Sequence, residues 1–439
     1  MDAGSPANGG FAEALAATIG AQPDLAWLTP LRSEALRRFD AAGFPSTRLE
    51  DWRYTDLGEY ARRSREITAG VAATAAGAAP ALAGRLVPAG MGLVAVFRSG
   101  VLDAGLSQPA APAGLTCTRL AAGAGRAAWL DSLGADSHEG ADPLATLNAA
   151  LLRDGLALEV AAGARVERPI YVAHVSEPGR TAHNRLVLRL APGSTCTLIE
   201  HQLGQDSGTA NSVTDISCGR DARLTYIRLQ DEPATALHVA QQRIRLEAGA
   251  EAALFGIDLG GKLVRNTLRV SLAGTGAAVD IQGLFFGDGG RHVDNQTRVD
   301  HHARGTRCQE RYRGIVEDSG RGIFNGKIVV HAGADQAVAE LRNENLLLSR
   351  NAEVDTKPEL EIYTDDVKCA HGATTGQLDP AAVFYLRSRG IGAAEARRML
   401  IAAFAREIVG RIPVRELEDH VVGLLAARLP DLAAVGAGP

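Results

Sequence analysis

The chain has 439 residues, with 46 basic and 51 acidic side chains and a formal net charge of -5, which excludes a broadly basic nucleic-acid binder. Its length gives room for two or three structural units around a sizeable core. Hydrophobic residues make up 46%, aromatic residues only 5%, and glycines number 49, so order must come from aliphatic packing and tight turns, and collagen-like or largely disordered chains are excluded.

The N-terminal region reads as helical. Phe11 to Gly20 and Thr29 to Ala42 place apolar residues, among them Leu31, Leu36 and Phe39, at mostly helical spacing, and Gly43 and Pro45 follow as stop signals. No basic segment precedes an apolar stretch, so no signal peptide is expected, and the absence of any 18-residue apolar run predicts no membrane span. Ile67 to Gly90 is an Ala/Gly tract with Pro80 and Pro88 and reads as a linker. The five cysteines, Cys117, Cys196, Cys218, Cys308 and Cys369, are odd in number and never form a CxxC pair. That pattern fits a reduced, cytoplasmic protein.

From Leu147 to Gln377 the text changes to short runs with two-residue alternation, such as Leu186, Leu188 and Leu190, then Leu268, Val270 and Leu272, then Val279, Ile281 and Phe285 with Gly283 between. These predict strands. A turn motif, aliphatic-x-x-Gly before a small residue, recurs at Gly163, Gly193, Gly249 and Gly333, with weaker copies at Gly219, Gly276 and Gly305, at a mean interval of about 28 residues. A period of that size, filled with strands and turns and lacking helices, predicts a β-solenoid with one coil per repeat. A β-sandwich is the alternative, weakened by the scarcity of Asn-Gly and Asp-Gly hairpin dipeptides.

Past Gln377 the pattern is helical again. Asp379 can cap a helix that stops at Gly390, a second runs to Pro413 with Met399, Leu400, Ala403, Phe404 and Ile408 on one side, and a third spans Val414 to Leu429 before a frayed tail. The expected division is therefore a helical region with linker over 1–145, a β core over 146–377 and a helical region over 378–439.

Several chemistries have no support. Neither Gly322 to Ile328 nor Gly260 to Leu263 has the length and hydroxyl of a phosphate-binding loop, no GxGxxG opens a helix, and GxSxG and HExxH are missing. No ATP site is expected in this chain. The positive signal is Cys369-Ala-His371: two residues apart on a strand, thiol and imidazole share a face and suit iron. Two ligands cannot hold a cluster that needs about four, so another chain would have to complete the site. The structural alternative is a cysteine beside a hydrogen-bonded histidine. His301, His302 and Cys308 form a second grouping whose spacing matches no standard metal motif. Glu359, Glu361, Asp365 and Asp366 read as a solvated strand edge, or as the calcium-binding and basic carboxylates of a β-helical polysaccharide lyase. Against a lyase, the chain has only three tryptophans for sugar stacking, two of them, Trp27 and Trp52, in the helical opening. A structural homodimer whose CxH motif binds nothing is the remaining alternative.

Residues 346 to 391, LLLSRNAEVDTKPELEIYTDDVKCAHGATTGQLDPAAVFYLRSRGI, resemble the C-terminal motif of the SufD branch of the SufB/SufD family, scaffold subunits of the Suf iron-sulfur cluster assembly machinery. Glu50-Asp51-Trp52-Arg53-Tyr54-Thr55 is similar to the family's N-terminal element. Leu147 to Leu151 with Asp154-Gly155, and Phe324 to Lys327, extend the likeness over most of the chain, least of all around 61 to 145. Ala370 departs from the serine more often found there, and the SufB branch carries HEAT where this chain has CAHGAT. The resemblance implies a mainly β chain built as a right-handed parallel β-helix between helical ends, and a non-enzymatic role. It implies SufB as a heterodimer partner through the β-helix, with a homodimer in isolation as an option, and the ATPase SufC as a partner at the C-terminal helices. It also implies a transient cluster or iron at the interface, where a SufB cysteine faces a histidine; His371 matches that histidine, and Cys369 is the cysteine of the same motif. Tyr385, Arg387, Arg389 and Arg397 are the candidate SufC contacts, and reduced flavin is a further candidate in the complex.

Overall fold

The alternating runs form strands that coil rather than pair as hairpins. The computed structural model describes residues 13, 16, 17, 19, 23–67, 82–108, 110–122, 126–134 and 142–428. The other positions of the expected first helix over 11–20, residues 68–81 of the expected linker and the expected tail lie outside the described residues. Sheet A stacks β1 (Leu93–Arg98), β5 (Ile170–Ser176), β7 (Thr195–Gly204), β9 (Arg223–Asp231), β11 (Glu251–Asp258), β13 (Ala278–Gly287), β15 (Arg307–Val316), β17 (Ala337–Leu347) and β19 (Val367–Gly376) in parallel, with β2 (Val101–Leu102) antiparallel to β1. Sheet B stacks β4 (Leu156–Val160), β6 (Thr181–Leu190), β8 (Thr209–Cys218), β10 (Leu237–Leu246), β12 (Leu263–Leu272), β14 (His292–His301), β16 (Arg321–Val330) and β18 (Glu353–Ile362), with β3 (Leu115–Arg119) antiparallel to β4. The chain crosses from one sheet to the other after every strand from β4 onward, a parallel β-solenoid of about 8 turns.

The repeat is visible in the register. Thr195 lies opposite Arg223, which lies opposite Glu251, steps of 28 residues. At one corner of each turn a left-handed residue donates its N–H to the next turn. These residues are Gly163, Gly193, Asp221, Gly249, Gly276, Gly305 and Gln336. Two of the expected glycine positions therefore shift: the ladder passes through Asp221 rather than Gly219, and through Gln336 rather than Gly333. Asp adopts the left-handed region more readily than most side chains, so the backbone repeat continues where the glycine does not. At Gln336 the turn is lengthened, and Gly333 holds its own positive φ of 84° within it.

Alternation along each strand sends one row of side chains between the sheets. Leu186, Leu188, Leu268, Val270, Val279 and Ile281 belong to this inner core, as the spacing predicts. Gly283 sits in that row because Tyr312 lies over it; a Cβ there would come within 2.2 Å of the Tyr312 ring.

The outer faces are covered differently. On sheet B, α1 (Thr29–Ala42) and α4 (Pro143–Leu151), separated in the chain by α2 (Gly58–Ile67) and α3 (Arg126–Gly134), pack Leu36, Phe39, Leu147 and Ala150 over Val187, and Asn148 Nδ2 donates to the carbonyls of Asn184 and Asn211 at 2.9 and 2.8 Å. Residues 93–119, expected within the helical region, supply β1, β2 and β3, because their apolar rows match the first coil and extend both sheets. On sheet A, α6 (Ala393–Val409) and α7 (Arg415–Arg428) lay Ile401, Ile408, Leu417 and Val421 over Ile199, Ile227, Ile257 and Phe286. Arg313 on β15 fastens α6 through the Phe404 carbonyl at 2.8 Å and Glu407 at 2.7 Å. Among the described residues no helix is long and apolar enough to cross a membrane.

Candidate functional site at the open end of the solenoid

The last coil is built like the others, but among the described residues no further strand adds to it. Among the described residues β18 pairs only with β16, and β19 only with β17. Along β19 every residue from Ala370 to Gly376 is exposed. Each strand therefore presents one unpaired edge of backbone N–H and C=O groups. Helix α5 (Pro380–Ser388) follows; Asp379 caps it, accepting from Ala381 N at 2.8 Å, and none of its residues is buried. Ile362, Tyr363, Phe384 and Tyr385 remain exposed around this end.

Cys369 and His371 both take inward positions on β19. Their strand partners are Ala339 and Leu341, which sit over Cys308 and Glu310, which sit over Val279 and Ile281. With no coil above, the inward row ends as a surface: Cys369 is half-buried against the core and His371 is exposed. Burial pushes the Cys369 thiol up, with a backbone hydrogen bond from Ala339 pulling the other way. The thiol is thus protonated at neutral pH, and it becomes a thiolate ligand when a metal ion or a partner's cation offsets that cost.

Two coils beneath His371, under Leu341, lies a titratable group that sequence reasoning missed. Glu310 is fully buried, and burial pushes its carboxyl up to about 7, with Thr297 pulling the other way. Cys308 is buried two coils below Cys369 and held well above the ordinary thiol range, first by burial and then by Glu310 and Asp280. The available signal was parity: Cys308, Glu310 and Tyr312 alternate on one strand and so share the inner row.

The other candidate groups separate. Glu359 pairs with Lys357 at 2.5 Å and Glu361 with Lys327 at 2.5 Å on the outer face of sheet B. These carboxylates are tied to lysines, the solvated-edge reading rather than the lyase one. Asp365 lies in the turn between β18 and β19, where its carbonyl accepts from Val367 N. His301 and Cys308 point inward, His301 Nδ1 lying 2.8 Å from the Thr306 hydroxyl, while His302 is exposed. The grouping of His301, His302 and Cys308 is therefore not a site. Tyr385 and Arg387 on α5, Arg389 just past its end and Arg397 on α6 are all exposed, with the Arg389 guanidinium 5.2 Å from the Tyr385 ring centre.

The N-terminal motif is a clasp. Trp52 is buried under the Arg265 guanidinium, 4.3 Å from the ring centre, and Arg265 Nη2 donates to the Asp51 carbonyl at 2.7 Å. Arg265 also pairs with Asp294, to which Thr55 donates. Glu50 reaches Lys357 on the last coil at 3.0 Å. This short segment thus ties β12, β14 and β18 together along sheet B.

Comparison with known proteins agrees with this architecture. Residues 172–404 match the family model described as SUF system FeS cluster assembly, SufBD core domain. The chain is 35% identical over 280 residues to the iron-sulfur cluster assembly protein SufD of Escherichia coli, a match covering 62% of this chain and 66% of that protein, just under two thirds of its length. It is 29% identical over 402 residues to an iron-sulfur cluster assembly SufBD family protein of Synechocystis, covering 88% of this chain and 87% of that protein. It is 28% identical over 306 residues to SufD of Bacillus subtilis, covering 68% and 69%.

Proposed function

We propose that this chain, which belongs to the SufBD family of the SUF iron-sulfur assembly system, is a non-catalytic, SufD-type scaffold subunit that offers His371 and Cys369 to a nascent cluster. The observation that carries this reading is the bare last coil: an unpaired strand edge in each sheet, with a thiol and an imidazole at the end of the inner row. An edge of this kind is completed by a strand from another chain. A paralogous SufB supplies that strand and the remaining ligands, since two protein ligands fall short of the four a cluster takes.

The cluster is cargo in this reading. A half-buried, protonated thiol beside an exposed imidazole ligates weakly, which suits a site that must release its product. The exposed face of α5 and the start of α6, with Tyr385, Arg387, Arg389 and Arg397, is the docking surface for the ATPase SufC, whose nucleotide cycle moves the scaffold pair. The five free cysteines suit work in a reducing cytoplasm.

The test is anaerobic co-expression with SufB and SufC, comparing wild type with His371→Ala for iron and acid-labile sulfide per complex. A complex that assembles intact and loses its cluster supports the reading. Unchanged cluster content assigns the ligands to SufB and leaves this chain an architectural role.

A further inference from the structure

A second set of ligand-bearing side chains lies on the outer side of sheet B, where the chain turns toward sheet A. Asp300 and His302 share the outward parity on and just past β14. The ladder pairs His301 with Val330, so the next residues, His302 and His331, meet one coil apart. Their rings stack with centroids 4.3 Å apart and 11° between planes. Asp300 Oδ1 lies 2.8 Å from His331 Nε2. One ligand atom from each of the three residues lies within 4.8 Å of the other two.

We propose that Asp300, His302 and His331 form a binding site for a divalent first-row transition ion, Zn(II) or Fe(II) in character. Two imidazoles and a carboxylate are the donor set that borderline ions prefer, and three protein ligands leave room for water or an exchangeable ligand. Binding takes neutral imidazole and ionised carboxylate, and a bound ion replaces the contact that now joins Asp300 Oδ1 to His331 Nε2. Arg298 grips the carboxylate at two points, 2.7 and 2.8 Å, and fixes its orientation. An outer partner of this kind tunes affinity and geometry.

The backbone makes the arrangement rigid. Adjacent coils are held at the strand spacing of roughly 4.8 Å, so two histidines 29 positions apart are set side by side without any local motif. This is also why no sequence spacing announced the site. It sits on the outer side of sheet B, away from the inner row that ends at Cys369 and His371, and it stands whether or not the chain assembles clusters.

The test uses the untagged full chain carrying Cys369→Ala and His371→Ala, which removes the other ligand pair. Zn(II) is titrated calorimetrically, and Co(II) is followed by its visible d–d absorption. The expected result is one equivalent of Zn(II), weakened at least about tenfold by His302→Ala, by His331→Gln and by Asp300→Asn, with the Co(II) bands lost in the same variants. His302 is exposed, so its substitution leaves the fold intact, to be checked by the urea midpoint. Absence of Zn(II) uptake, or uptake indifferent to all three substitutions, overturns the proposal and leaves a stacked pair held by an ion pair.

Discussion

The two ends of the solenoid are made of the same repeating coil, yet one is sealed and the other bare. At the first coils, β2 and β3 turn back antiparallel, α1 and α4 cover sheet B, and β5 is buried along its whole length. At the last coil, β19 has no buried residue and α5 lies outside the core. The inner row continues through both ends, Leu93 lying opposite Ile170 at one and Ala339 opposite Cys369 at the other. What differs is whether anything covers the edge. Exposed strand edges invite pairing, so the open end is where the partner strand proposed above would add.

That contrast can be broken by paired substitutions. The largest effect is expected from Phe324→Ala, which empties a fully buried position of the inner core and costs about 3–5 kcal/mol. Phe384→Ala, at a side chain 71% exposed on α5, stays within about 0.5 kcal/mol. Urea unfolding measures both, and equal losses would mean that α5 is packed in solution.

Next comes Glu310. Its folded-state value of about 7 lies above the ordinary 4.5, so the folded chain holds that proton more tightly than the unfolded chain. Its burial is harmless below about pH 4.5 and costs stability as pH rises toward 7, by about 3 kcal/mol in all. Glu310→Gln should therefore gain stability relative to wild type across that window and change little below it. A flat difference between pH 4 and 8 would show that water or a rearrangement solvates the carboxylate.

Two capping aspartates sharpen the comparison further. Asp142 accepts from Leu144 N at 2.8 Å at the start of the buried α4, and Asp142→Ala should lower global stability by about 1 kcal/mol. Asp379→Ala removes a similar cap from α5, where the loss should appear only as faster amide exchange within 380–388. A shift in the global unfolding midpoint for Asp379→Ala would contradict the independence of that helix. The smallest effect is expected at Lys357, which bridges Glu50 and Glu359 at 3.0 and 2.5 Å in solvent. Lys357→Ala should cost under about 0.5 kcal/mol and vanish in high salt.

Much of this was legible in the residues. The two-residue alternation placed the inner row, the recurrence near 28 residues announced the coil, and Asp379 and Gly390 bounded α5. The strand parity of Cys369 and His371 put them on one face. The turn ladder was harder to read, because at Asp221 and Gln336 the left-handed corner is held by residues other than glycine. The strands over 93–119 were hidden among Ala- and Gly-rich text whose short apolar runs acquire meaning only beside β4 and β5.

By itself the sequence determined the repeat, since alternation and period are local properties of a strand and a turn. Only the tertiary structure decided which residues of different coils meet. Lys327 with Glu361, Trp52 with Arg265, and His302 with His331 are 29 or more positions apart and touch because coils stack. It also decided that the thiol and imidazole end on an uncovered row, since exposure depends on what lies above a strand, and no residue within β19 carries that information.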